Sequence, residues 1–360
     1  MGGRKESSVT TKDIAKKLGV SAVSVHRALS GKEGVSDELR AKILKTSKEM
    51  GYQFNYAASS IRKKKTYFAI ILPTDDKVYY EYFWEGVNDC FSAMKSLNIA
   101  IDSFVCRDEK EQCEQLKSIA DQKGTYAGVL TFSYTRNASF LLQLQRLIAQ
   151  GLATVVIDDS IKEPEGICCI PPNEKTIGTV AGELVALTTP EKGKVIVTEG
   201  RKDSVLHVNK LKSFLSYLKE NKPNLKPVIV PGYYKPEQYK ITQKSILDAL
   251  VENPDTVACY ALNSHDNLPF VNAVEMSGMK DKVRIIGTDF YDLTKELLST
   301  GRITAVINQG AYTKGYIGMK ILVNTAVKNL ELPGNITTPI DVIFKSNVSC
   351  YDSFEVRQNK

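Results

Sequence analysis

Val9-Thr-Thr-Lys-Asp-Ile-Ala-Lys-Lys-Leu-Gly-Val-Ser-Ala-Val-Ser-Val-His-Arg-Ala-Leu-Ser-Gly31 reads as two short helices around a tight turn. Thr11 stands where a residue caps the first, Lys12–Leu18, whose apolar positions Ile14, Ala15 and Leu18 recur at helical spacing. Asp13 falls in the first turn, where the helix dipole favours a negative charge, and Gly19 ends the helix. Ser21 caps a second helix, Ala22–Leu29, with Val25 and Leu29 on its core face. Ser36 caps a third, Asp37–Met50, with Leu39, Ile43, Leu44 and Met50 inward, and Gly51 closes it. A Gly-Val-Ser turn between the first two of three short helices makes a helix-turn-helix.

Charge gives this unit a partner. Of 360 residues, 48 are Lys or Arg and 41 Asp or Glu, a net +7. Residues 1–65 hold 15 of the former and 6 of the latter, a balance of +9, which leaves −2 for the rest of the chain. A polyanion is the natural partner of so basic an end: nucleic acid first, an anionic membrane surface second. In a DNA-reading helix-turn-helix the first turns of the second helix meet base edges, here Ala22, Val23, Ser24, His26 and Arg27. Ala22 and Val23 offer only apolar contact, for example to a thymine methyl. Arg27 either reads guanine with its two-pronged donor set or neutralises a phosphate. His26 suits phosphate, base or solvent. Asn55–Arg62 is Ala/Ser-rich and too short to hold a helix alone, so it reads as a linker that becomes helical when supported.

From Tyr67 the texture changes. Tyr67–Leu72 is a continuous apolar strand, followed by a helix over Glu81–Leu97. Strands Ile99–Val105, Ala127–Phe132, Ala153–Ile157, Lys194–Thr198, Pro227–Val230, Ala258–Leu262 and Val283–Gly287 then alternate with helices Lys110–Gln122, Ala138–Gln150, Lys175–Leu187, Val208–Asn221, Pro236–Glu252 and Asn267–Ser277. Such alternation predicts parallel sheets covered on both faces. About ten strands exceed one comfortable sheet, so two α/β lobes are expected.

Composition and motifs narrow the chemistry. The hydrophobic and charged fractions, 42% and 25%, are those of a globular protein and exclude a mainly disordered or collagen-like chain. Seven cysteines without paired spacing, and no secretory signal before them, predict a reducing cytosol and no disulfide framework. No apolar run reaches membrane-spanning length. The three histidines are dispersed and no Cys-x-x-Cys occurs, so no metal site is expected. There is no phosphate-binding glycine loop and no nucleophile elbow, so neither a cofactor nor an enzyme is expected. Polar residues at the carboxyl ends of predicted strands are the better candidates, because open α/β sheets bind ligands there. They are Asp75, Asp76, Asp158, Asp159, Asp266 and Asp289, with Tyr79 and Tyr80 nearby. Each Asp can equally be a helix cap or turn residue, Asp266 above all.

Over about Val9–Tyr351 the chain resembles the LacI/GalR family of bacterial transcriptional regulators. The resemblance is carried by the opening stretch and by Val35-Ser36, Arg40, Gly51-Tyr52 and Asn55 in the family's spacing. It implies a cytoplasmic homodimer or homotetramer whose paired heads bind a palindromic double-stranded DNA operator. A two-lobed domain like periplasmic sugar-binding proteins would sense a small effector, a sugar or sugar derivative. The implied division is a head over 1–53, a hinge helix and linker over 54–66, and a sensor over 67–334 and 335–360. Its N-lobe would take about 67–169 plus 308–334 and its C-lobe about 170–307 plus 335–356. The implied DNA contacts are Thr11, Ala22, Val23, Ser24, His26, Arg27, Asn55, Ile61 as minor-groove wedge, and Arg62. The implied ligand contacts are Tyr79, Tyr80, Asp158, Lys210, Tyr234, His265, Asp266, Asp289 and Gln309. Departures from the family pattern are His26 for Ser, Phe54 for Pro, Ile61 for Leu, Lys210 for Arg and His265 for Asn. Lys210 emerges as the one clear cation of a cleft with three carboxylates, a balance that favours a neutral sugar over a dicarboxylate or nucleotide. The rival reading is a sugar-binding receptor without DNA binding; an enzyme on a doubly wound fold ranks below it.

Overall fold

The computed structural model describes residues 9–31, 33–52, 64–74, 77–134, 137–162, 164–171, 173–200, 202, 204–232 and 238–351. Phe54, Asn55, Ile61, Arg62, Asp75, Asp76 and Tyr234 lie outside them, and so do the expectations attached to those residues.

The head is three helices, α1 (Thr11–Leu18), α2 (Ala22–Leu29) and α3 (Asp37–Glu49). Thr10, not Thr11, is the cap of α1. Its hydroxyl donates to Asp13 Oδ2 (2.7 Å) and its backbone N–H donates to the same oxygen (2.8 Å), closing a reciprocal capping box. Thr11 is already inside the helix because only Thr10 has the extended backbone that aims a side chain back at the third N–H. Ser21 caps α2 by accepting from Ser24 N (3.0 Å), and Gly19 supplies the left-handed turn between the helices (φ 66°). Ile14, Ala15, Val25, Ala28, Leu29 and Ile43 form the core of the head. Leu44, expected inside, is 48% exposed, because its neighbour Ile43 takes the single inward position on that turn of α3.

Two sheets follow. The first holds β1 (Thr66–Pro73), β2 (Ile99–Cys106), β3 (Tyr126–Thr131), β4 (Ala153–Ile157) and β5 (Ile167–Ile170), all parallel, in the order β2-β1-β3-β4-β5. Helices α4 (Lys77–Ala93), α5 (Glu109–Asp121) and α6 (Ala138–Ala149) connect them. The second sheet is reached through α7 (Glu174–Thr188) and has the order β11-β10-β9-β8-β6-β7. Its strands are β6 (Gly193–Thr198), β7 (Leu225–Val230), β8 (Thr256–Tyr260), β9 (Arg284–Thr288), β10 (Ala305–Asn308) and β11 (Asp341–Phe344). Helices α8 (Val205–Asn221), α9 (Tyr239–Glu252), α10 (Asn267–Met276) and α11 (Asp292–Ser299) cover it, and only β11 runs antiparallel. After β10 the chain crosses back as α12 (Ala311–Lys328), which packs on α4 and on β3 and β4 of the first sheet. It returns once more to add β11 to the second.

In each lobe two helices meet at unusual closeness, and glycine is the reason. A side chain on Gly315 of α12 would come within 2.0 Å of Phe83 O on α4, and one on Gly86 of α4 within 2.0 Å of Tyr312 O on α12. In the other lobe a side chain on Gly178 of α7 would come within 2.2 Å of Lys210 O on α8. Both contacts hold a helix bearing a buried lysine, Lys314 on α12 and Lys210 on α8, against its lobe. The head meets the sensor at the far end of α12, where Asn329 Nδ2 donates to Ser30 O (3.0 Å). Among the described residues no helix is long and apolar enough to cross a membrane.

Candidate ligand cleft and DNA-reading helix

The cleft sits where sheet topology places ligand sites, at the carboxyl ends of parallel strands. It has a volume of about 140 Å³ and takes walls from both lobes. Pro73, Tyr79, Tyr80, Phe132, Ser133, Tyr134 and Asp158 come from the first lobe; Ser204, His207, Lys210, Asn263, Ser264, Asp289 and Gln309 come from the second lobe and its crossover.

The two lobes present matching carboxylates. Asp158 follows β4 and Asp289 follows β9, both with left-handed backbone (φ 55° and 63°), a conformation Asp tolerates better than most residues. Each backbone N–H donates to the neighbouring strand, Asp158 to Ile170 O (3.0 Å) and Asp289 to Ile307 O (2.9 Å), so each side chain turns off the sheet end into the cleft. Asp158 is engaged by Lys314, whose Nζ donates to its Oδ1 (2.6 Å) and to Tyr79 Oη (3.0 Å), while Tyr79 donates to the same carboxylate oxygen (3.2 Å). Burial pushes the Tyr79 phenol well above its ordinary range, and the Asp158 charge adds to the push.

Asp289 is held by Gln309, whose Nε2 donates to its Oδ1 (2.8 Å). Burial raises the Asp289 carboxyl, opposed chiefly by the charge of Lys210 and the Gln309 bond. Lys210 is 1% exposed and makes one long hydrogen bond, to Leu262 O (3.5 Å). An ammonium has three donors, so this one is under-satisfied. Burial lowers its pKa to about 8, with Asp289 opposing the fall.

The structure redraws the expected charge balance. Asp266 is fully buried behind the cleft, not in its wall. It accepts from Thr198 Oγ1 (2.6 Å) and Asn263 Nδ2 (2.7 Å), and its carboxyl is pushed up to about 7 by burial. It stands at the start of α10 without capping it. Asn263 and Ser264 take the wall positions beside it, and His265 is outside the wall. Among the described residues Lys210 is the one lysine of the wall, and Lys314, behind it, pairs with Asp158 and so offsets one of the two wall carboxylates. Lys202 pairs with Glu199 (3.3 Å) at the surface and Lys212 lies on an outer groove of α8, so neither turns inward. Asp159 is a turn residue, its Oδ1 accepting from Ser160 N (2.6 Å). Tyr80 stands edge-on to Tyr79 (5.1 Å between centroids, 88°), and Tyr79 is buried with the Lys314 ammonium over its ring (5.6 Å to the centroid). Sequence reasoning missed Ser133, Tyr134, Ser204, His207, Asn263 and Lys314. His207 was findable, one helical turn before Lys210 on the same face.

In the head, Val23 is 61% exposed and His26 and Arg27 are exposed, on the side of α2 away from its core. Ser24 is half-buried, with its hydroxyl 2.9 Å from the capping Ser21 hydroxyl. Arg40 reaches across from α3 and donates to Ala28 O (3.0 Å), which fixes the carboxyl end of α2.

Residues 68–329 match the model of the periplasmic binding protein domain, and residues 10–55 that of the bacterial regulatory proteins, lacI family. The chain belongs to the periplasmic binding protein domain family and carries a lacI-type head. It is a DNA-binding regulator joined to a ligand-binding domain. The ribose operon repressor of Lactococcus lactis is 21% identical over 343 residues, which are 94% of this chain and 98% of that protein. Catabolite control protein A of Priestia megaterium is 22% identical over 320 residues, 88% of this chain and 92% of that protein. Among solved structures, a periplasmic solute-binding protein from Actinobacillus succinogenes with bound D-allose superimposes with a TM-score of 0.71 at 18% identity. It covers 80% of this chain and all of its own (100%), and shows the shared fold of the sensor.

Proposed function

We propose that this regulator represses transcription from a palindromic operator as a cytoplasmic homodimer, and that a monosaccharide or its derivative closes the two lobes and changes operator affinity. The observation that carries the effector reading is Lys210: a buried ammonium at the cleft wall with one long bond of its own, beside the carboxylate of Asp289. A sugar hydroxyl can accept from the first and donate to the second, in charge-assisted bonds. Two cations against two carboxylates leave the cleft near neutrality, which supports a neutral sugar. The name of the Lactococcus lactis relative points the same way.

The assignment of roles is part of the proposal. Tyr80, Lys210, Asp289 and Gln309 touch the effector, with His207, Asn263 and Ser264 adjacent; Tyr79, Asp158 and Lys314 form the frame. The site binds and releases its ligand unchanged. The head is residues 1–53 and the linker 54–66. We assign residues 67–170 and 311–336 to one lobe, and 173–308 and 340–351 to the other. Thr11, Ala22, Val23, Ser24, His26 and Arg27 face DNA. Helix α12 links the two ends, carrying Lys314 at the cleft and Asn329 at the head. Titrating the full chain with D-ribose, D-allose, D-glucose, their phosphates and the dicarboxylate succinate by calorimetry tests the effector reading. Heat with a free sugar that vanishes in Asp289→Ala supports it; tightest binding by a dicarboxylate overturns it.

A further inference from the structure

Behind the cleft, across a wall made by Tyr79 and Asp289, lies a second cavity of about 130 Å³ with the opposite chemistry. Tyr82 and Tyr312 enter it from the first lobe, Phe290 and Tyr351 from the second. The Phe290 and Tyr351 rings lie 5.2 Å apart at 49°. The two tyrosines from the first lobe have their hydroxyls engaged outside the cavity, Tyr82 donating to Asp292 (3.1 Å) and Tyr312 to Asp89 (2.7 Å). Two half-buried carboxylates, Glu85 and Asp341, join Asp289 in the wall, and among the described residues no Lys, Arg or His lines it. Burial raises the Tyr312 phenol, with the Asp89 hydrogen bond next and the Glu85 charge a smaller addition, and burial raises the Tyr351 phenol with the Asp341 charge adding to it.

We propose that this cavity binds a small organic ammonium with an apolar body, as a second ligand distinct from the effector of the cleft. Aromatic faces attract a cation through their quadrupole, and the attraction grows when water is excluded. Glu85 and Asp341 supply the counter-charge, and Asp289 in the shared wall is already answered by Gln309 and Lys210. Because both lobes contribute rings and carboxylates, the ligand's affinity depends on how the lobes stand to each other. A ligand that distinguishes two arrangements shifts their populations, so this site supplies a second input to the regulator.

The probe is benzyltrimethylammonium, titrated into the full chain by calorimetry beside benzyl alcohol and benzenesulfonate. The cation is expected to bind one per chain and more tightly than either control. Tyr351→Ala and Glu85→Gln, whose folding is checked by circular dichroism, should each weaken it by about fivefold or more. His207→Ala, which alters a residue lining the cleft but not this cavity, should leave it unchanged, which separates the two sites. No binding at millimolar cation, equal or tighter binding of benzyl alcohol or benzenesulfonate, or unchanged affinity in both Tyr351→Ala and Glu85→Gln would overturn the proposal.

Discussion

Asp158 and Asp289 occupy equivalent places in the two lobes, yet they are treated differently. Both end a central strand in left-handed backbone, both bond the neighbouring strand through N–H, and both lie near a buried lysine on a helix held by glycine. In the first lobe the lysine closes on the carboxylate at 2.6 Å and a tyrosine completes the triangle. In the second, Lys210 and Asp289 are coupled by charge while Lys210 keeps donors in reserve. A satisfied ion pair gains nothing from a ligand; an under-satisfied ammonium beside a carboxylate does. On the proposed reading, the same fold element is a frame on one side and a reader on the other.

Substituting the two lysines separates these roles. Lys314→Met leaves the Asp158 carboxylate uncompensated, and breaking a buried pair from one side costs about 3 kcal/mol. Urea unfolding should show that loss for Lys314→Met and little or none for Lys210→Met, which removes a cation that burial already disfavours. Equal losses would erase the distinction. The next effect belongs to the reader: Lys210→Met should weaken the effector by roughly tenfold to a hundredfold, the worth of hydrogen bonds from a charged group, read by calorimetry.

Proton linkage sharpens the same contrast. Lys210 titrates near 8 in the folded protein, against 10.5 for an ordinary lysine. If the effector accepts from the ammonium, its affinity is level below that pH and falls by up to about tenfold per unit above it. Stability moves the opposite way: the unfolded chain holds the extra proton between the two values, so this group makes stability rise with pH across that window. A pH series of calorimetric titrations checks the first, with Lys210→Met as the flat control. A second linkage is expected at Asp266. Its carboxyl titrates near 7 when folded and near 3.8 otherwise, so the folded state binds the extra proton and stability falls as pH rises between them. Asp266→Asn should flatten the melting temperature against pH between pH 5 and 7; an unchanged slope would place the titration elsewhere.

Legibility in the sequence followed the distance over which each feature is determined. The head was readable because a capping Ser, a turn glycine and apolar spacing lie within a few residues; of its two slips, Thr11 for Thr10 is a single position at a helix end and Leu44 stands one position off the inward face. The strand ends bearing Asp158 and Asp289 were readable because continuous apolar runs stop there. Lys314 was not, because its partners are 156 and 235 residues away and the second crossing of the chain between lobes brings it to them. A local signal did exist: Ala311, Lys314 and Gly318 share one helical face, and a lysine among such residues faces inward. Asp266 misled because a carboxylate after a strand and before a helix suits a cleft, a cap and a buried network equally well. Only packing shows that Thr198 and Asn263 claim it.

The central claim is that one chain couples DNA binding by its head to the under-satisfied lysine of its cleft. The direct measurement is fluorescence anisotropy of labelled genomic fragments, selected first by the full-length protein, with and without the free sugars and sugar phosphates named above. The account predicts that a sugar changes the fragment's affinity in the native protein, and that Lys210→Met binds the fragment as tightly but no longer responds. A sugar response that persists undiminished in Lys210→Met, or a full-length protein that retains no fragment, would contradict it.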